Sequence, residues 1–110
     1  MQPRVTSEFW VGAYLRRLSM LDIPAFVTAK GDATAGAILV KVNTLDGQAV
    51  LYQRSYDFDG NRVWVVLSQG PDQQVEDSIR NQRGFDPDLW VIEVEDRAGR
   101  HLLDDEGLAS

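Results

Sequence analysis

The sequence predicts an α+β fold: a two-layer domain in which an N-terminal amphipathic helix packs on a mostly antiparallel sheet of four to six strands, in the order α-β-β-β-β-α-β, with a second helix at the periphery. Three observations predict it. A helical apolar stripe lies near the start, alternating apolar runs separated by glycine-bearing turns follow, and a thinly striped helical segment precedes one last alternating run. A length of 110 residues, with 44% hydrophobic and 25% charged side chains, suits one domain over 1–110. Residues 1–6 and 104–110 are expected to be flexible ends.

Residues 7–21 read as the main helix. Ser7 is the expected cap, and Glu8 sits where the helix dipole favours an anion. Trp10, Tyr14, Leu18 and Leu21 form the stripe, which Val11 and Leu15 widen. Asp22-Ile23-Pro24 stops the helix, because a residue before proline avoids the helical region. Residues 25–30 suit a short strand through Phe26, Val27 and Thr28. The small, turn-rich segment 31–36 is a loop. Residues 37–43 alternate, with Ile38, Val40 and Val42 opposite Leu39 and Lys41. Asp46-Gly47 signals a hairpin into residues 49–56, which place Val50, Tyr52, Arg54 and Tyr56 on one face. Asp59-Gly60-Asn61 turns the chain into residues 62–67. These runs predict a meander of three or four antiparallel strands.

Alternation leaves the first hairpin two registers. A two-residue loop pairs Val42 with Leu51. A three-residue loop pairs Val42 with Tyr52 and Val40 with Arg54, and this is the preferred one.

Gly70-Pro71-Asp72 opens the second helix, with acids early, Arg80 and Arg83 late, and Glu76–Arg80 as an i,i+4 pair. Gly84 is the expected stop, with Phe85 folding back onto the last turn. Only Val75 and Ile79 are apolar on its stripe, so it should pack at an edge. Residues 89–95 form the last clear strand, with Trp90, Ile92 and Val94 inward and Val91, Glu93 and Glu95 outward. Residues 100–103 are a candidate partner strand.

The charge is polarised. Net charge is −6, with residues 1–70 at +1 and residues 71–110 at −7. This balance repels phosphate backbones. There are no cysteines and one histidine, which excludes a disulfide framework, a thiol nucleophile and cysteine-held metal in this chain. No apolar run reaches membrane-span length, and residues 1–7 lack an apolar signal core. A cytoplasmic protein without membrane contact is the expectation.

The runs Gly31-Asp32-Ala33-Thr34-Ala35-Gly36-Ala37-Ile38-Leu39-Val40-Lys41-Val42-Asn43 and Asp86-Pro87-Asp88-Leu89-Trp90-Val91-Ile92-Glu93-Val94-Glu95-Asp96-Arg97 carry a family resemblance, with Phe9-Trp10-Val11 and Leu15-Arg16-Arg17. Over residues 3–104 the chain resembles a small bacterial family, typical of alphaproteobacteria, catalogued as domain of unknown function 1491. The resemblance implies a small soluble single domain of the bacterial cytosol, and no activity, cofactor or site.

Three groups of residues are candidates for chemistry. Gly31, Asp32 and Gly36 bracket a loop whose amides can cradle an anion, although it lacks P-loop spacing and a plain connector is the simpler reading. Glu93 and Glu95 share a strand face near Asp96 and His101. They are weak metal candidates, because solvated acids neutralised by Arg97 and Arg100 explain them as well. Tyr52, Tyr56, Trp64 and Trp90 can serve as core or as a contact surface. No nucleophile pair, metal cluster or cofactor loop is visible, so no cofactor is expected and the reading leans away from an enzyme. The leading expectation is a non-catalytic module for a protein partner or a homodimer, with contacts at Gly31, Asp32, Gly36, Tyr52, Tyr56 and Trp64. A small-ligand or enzymatic site at the 31–36 loop is the alternative. Single-stranded nucleic-acid binding comes third, against the acidic balance.

Overall fold

The first helix, α1 (Ser7–Met20), begins one residue earlier in its capping than expected. The Thr6 hydroxyl accepts from the Phe9 amide at 3.2 Å, so Thr6 and not Ser7 is the cap. Ser7 is buried, and its hydroxyl donates to the Gly36 carbonyl at 2.6 Å. Trp10, Val11, Tyr14 and Leu18 form the buried stripe, whereas Leu21 is exposed. The chain is described from a computed structural model over residues 5–105 and at Leu108.

Five strands follow the α+β pattern: β1 (Ala25–Ala29), β2 (Ile38–Asn43), β3 (Gln48–Tyr56), β4 (Arg62–Pro71) and, after α2 (Asp72–Phe85), β5 (Trp90–Glu95). They form one mostly antiparallel sheet in the order β1-β5-β2-β3-β4. The meander covers β2, β3 and β4 only. The fourth member of the expected meander, β1, pairs instead with β5, which is inserted beside β2 and runs parallel to it. Alternation encodes the faces of a strand and not its neighbours, so pairing across the whole chain decides this placement.

The hairpin register differs from both expected registers. Val42 pairs with Val50 and Val40 with Tyr52. The faces match the preferred register, shifted by two residues, because the turn is centred on Asp46, with Asn43 opposite Ala49, and not on Gly47. Leu45 and Gly47 take positive φ there, 63° and 86°. β4 runs to Pro71, past the expected residue 67, and bends where its pairing shifts opposite Leu51 and Tyr52.

The principal core lies between α1 and one sheet face. Ile38, Val40, Val42, Trp90, Ile92 and Val94 meet Trp10, Tyr14 and Leu18 there. The tail joins it: Leu103 and Leu108 are buried, and Trp10 Nε1 donates to the Leu108 carbonyl at 3.3 Å. Residues 100–103, a candidate partner strand, do not form one. That stretch is irregular, with Leu102 at φ 59°, and Arg100 folds back onto Asp96. Residues 1–4, 106, 107, 109 and 110 lie outside the described residues.

The second helix adds a smaller core on the opposite face. Val75 and Ile79 close over Leu39, Ala49, Leu51, Leu89 and Val91. Its stripe is as thin as the sequence indicates, yet it is enough to cover the sheet's second side. Val91 and Lys41, expected outward, are therefore buried. Gly84 does not end this helix, which continues to Phe85, and the Phe85 side chain is exposed instead of folding back. Arg80 pairs with Asp77 at 2.9 Å, not with Glu76, because Glu76 is drawn to Lys41.

Candidate functional site

At the end of the sheet where β2 begins and β3 ends, the α1 N-terminus, the 31–36 loop and the α2 C-terminus leave a cavity of about 640 Å³. This is the size of a small-molecule pocket. Trp10, Ile38, Leu39 and Leu89 give it apolar walls, and Arg54, Arg62 and Asp86 bring charge to it.

Arg54 is the unusual member. Strand alternation points it to the α1 side, with Tyr52. Its guanidinium carbon lies 5.0 Å from the Trp10 ring centre and 5.2 Å from that of Trp64. The two rings are themselves 5.4 Å apart. This pair of indole faces attracts and orients the cation. Nε and Nη2 of Arg54, and the indole Nε1 of Trp64, are buried without a hydrogen-bond partner. Buried donors without partners are rare in folded proteins and costly. Burial, then the neighbouring charge of Arg62, pushes the Arg54 pKa down to about 10, still protonated at neutral pH. Among the described residues neither arginine forms an ion pair. The site can accept negative charge.

The 31–36 loop forms a wall of the cavity and keeps its own amides occupied. The Asp32 carboxylate accepts from the Thr34 and Ala35 amides at 3.2 and 2.8 Å. The Asp32 carbonyl accepts from Gly36 N at 3.2 Å and from Trp90 Nε1 at 2.7 Å. A Cβ at Gly31 or Gly36 would collide with the Asp88 carbonyl oxygen, so both glycines serve close backbone approach. The amides of Ser7 and Glu8, which open α1, donate to Thr34 and Ala33 carbonyls at 3.1 and 2.9 Å. Neither loop nor helix end has these amides free for an anion.

The expected contact residues divide accordingly. Gly36 and Tyr56 line the cavity. Trp64 stands behind Arg54, and Gly31 and Asp32 build the wall. Tyr52 lies elsewhere, its ring tilted against that of His101 with the centres 4.7 Å apart. Trp90 is core. The sheet aromatics are thus largely consumed by packing and do not form a stacking platform. Glu93 accepts from Lys41 Nζ and Asn43 Nδ2, each at 3.3 Å. Lys41, 2% exposed, also pairs with Glu76 and, at 2.6 Å, with Asp72. Burial works to lower the Lys41 pKa, but these carboxylates outweigh it and raise it. Among the described residues, no group of three or more metal-ligating side chains forms.

Arg54 was missed as a site residue. The signal for it was present: a cation at an inward position of an alternating strand, between Tyr52 and Tyr56.

Residues 5–104 match the family model described as "Protein of unknown function (DUF1491)". No curated protein matches the chain. A crystal structure of a DUF1491 family protein from Caulobacter crescentus is similar at 37% identity and TM-score 0.84, covering 92% of this chain and 96% of its own. A solution structure of a DUF1491 family protein from the same organism is similar at 36% identity and TM-score 0.81, covering 94% and 96%. The solution structure of protein Atu0922 from A. tumefaciens is similar at 30% identity and TM-score 0.72, covering 84% and 86%.

Proposed function

The chain belongs to the DUF1491 family, whose description carries no activity, and from that footing we propose that it is a non-catalytic binding module for an anionic small molecule, held in the cavity beside Arg54. One observation carries the reading. Arg54 lines the cavity, and among the described residues no acceptor takes its buried Nε and Nη2 or the Nε1 of Trp64 beside it. Such donors are destabilising unless something else satisfies them. Charge-assisted hydrogen bonds to an anion would recover about 1.5–3 kcal/mol.

Phenylacetate and phenyl phosphate are suitable probes, read by calorimetry and by tryptophan fluorescence, since Trp10 and Trp64 flank Arg54. Wild type should bind at least one of them. Arg54→Gln should weaken that binding by about 10-fold or more. If neither probe binds, or if Arg54→Gln binds equally well, the reading fails.

A second reading, protein contact and self-association, is favoured by the edge strand β4. It is ten residues long, contains no charged residue after Arg62, and exposes Val65 and Val66. Uncharged edges of this length readily add another strand. Sedimentation across a concentration series tests it, and a strict monomer throughout would remove it.

A further inference from the structure

We infer that β4 is the pairing edge of a homodimer, in which Arg62–Val66 of one copy lies antiparallel to the same stretch of a second copy about a two-fold axis at Trp64. The inference rests on the self-association reading above and fixes its partner and register.

The direction of the main chain comes first. The β3–β4 hairpin closes with the Asp57 amide donating to the Asn61 carbonyl at 2.9 Å. Alternation from that bond, through the pairs Ser55–Val63 and Gln53–Val65, turns the backbone of Val63 and Val65 toward β3. It turns the N–H and C=O groups of Arg62, Trp64 and Val66 outward, where the sheet has no further strand. An extended chain is the partner whose own backbone matches such a row.

The remaining edges are blunted, and this stretch is not. In the second half of β4, Leu67 is an unpaired bulge between the pairs Tyr52–Val66 and Leu51–Ser68. Beyond it, the Gln69 carbonyl already accepts from Gln74 Nε2 at 3.3 Å, and Pro71 has no N–H to offer. At the opposite side of the sheet, β1 is five residues long and its register shifts between Val27 and Ala29.

Self-pairing also suits the side chains and the charge. With the axis at Trp64, the outward groups of Arg62, Trp64 and Val66 meet those of the partner's Val66, Trp64 and Arg62, giving up to about six main-chain hydrogen bonds. Val63 then stands opposite the partner's Val65, which is 37% exposed in the single chain. The stem of Arg62 lies over the partner's Val66, which is 50% exposed. Two copies of net charge −6 repel each other over most of their surface. Residues 54–71 are neutral, with Arg54 and Arg62 set against Asp57 and Asp59, so this is a place where like copies can approach.

The test uses the full chain. Wild type should sediment as a monomer–dimer equilibrium within about 1–500 μM, the weak range expected of so small a pairing. Val66→Pro removes an outward N–H and spares the bonds to β3, so it should move the midpoint to at least about 10-fold higher concentration with the circular dichroism spectrum unchanged. Val66→Lys should do the same where proline proves too disruptive to fold. The chain has no cysteine, so Val63→Cys and Val65→Cys can be introduced in separate copies to read the register. Mixed and oxidised, the two variants should cross-link, and either one alone should cross-link several-fold less. A wild type that stays monomeric throughout overturns both this inference and the self-association reading. A dimer indifferent to both Val66 substitutions overturns the inference and moves self-association to another surface. A dimer that they weaken, but whose mixed cysteines cross-link no better than the single ones, overturns the two-fold at Trp64 and leaves the β4 reading standing.

Discussion

Gly31 illustrates how a single residue sets the position of the candidate site. Its backbone passes so close to Asp88 and Leu89 that a methyl group has no room, and the two nearest obstructing atoms are backbone. Gly31→Ala should therefore force the loop away from β5 and strain the Trp90–Asp32 hydrogen bond, at a cost of about 1–3 kcal/mol. The expected outcome is a fall in Tm of about 5 °C or more, measured by circular dichroism. An unchanged Tm would mean that the loop yields freely. Arg54 shows the opposite logic. Its burial penalty and its contacts with Trp10 and Trp64 act in opposite directions, so removing it need not unfold the protein. At this scale the sequence was partly legible. An arginine facing inward on β3 could be read from alternation, but its lack of an ion-pair partner among the described residues depends on where the acids end up. The acids near the C-terminus turned elsewhere, to Lys41 and Arg100.

Among the elements, the two helices differ in how they were encoded. α1 was visible because Trp10, Tyr14 and Leu18 recur at helical spacing beside a proline stop. α2 was visible as a helix, but its role was not. Two apolar side chains suggest an edge position, and only the sheet's second face, with Leu39, Leu51 and Val91, makes them a core. Strand faces were legible, whereas strand neighbours and loop length were not. The left-handed residues Leu45 and Gly47 absorb two positions that alternation cannot count. β4 carries the element-level prediction. Val66→Lys places a charge on its exposed stretch, where Val66 is 50% accessible. Any self-association seen by sedimentation should weaken or vanish, while Tm stays within about 4 °C of wild type, because the site is exposed. Association that persists unchanged would assign the contact to another surface.

For the whole molecule, stability against pH follows from where its charges are held. Hydrogen bonds from Arg100 hold the Asp96 carboxyl below its ordinary range, and the Thr44 hydroxyl and Gln48 amide do the same for Asp46. A carboxyl with a lowered folded pKa stabilises the fold above its ordinary value and loses that contribution as pH falls through the folded value. Lys41 works in the other direction. Its raised pKa gives a contribution that is complete below its ordinary value and lost only at strongly alkaline pH. Arg54, lowered to about 10, imposes a penalty that is constant below that pH. Tm should accordingly be level between about pH 5 and 9 and fall below about pH 4. Asp96→Asn should lower Tm at pH 7, and its difference from wild type should shrink as pH drops toward about 3. A difference that stays constant with pH would show that Asp96 acts through packing alone.

The placement of β5 between β1 and β2 also has a consequence in time. A ribosome delivers residues 25–43 long before it delivers residues 90–95. Until then β1 has no strand beside it, and the apolar stripe of α1 lacks Trp90, Ile92 and Val94 to cover. The newborn chain therefore carries this helix with only Ile38, Val40 and Val42 available to cover it until β5 emerges.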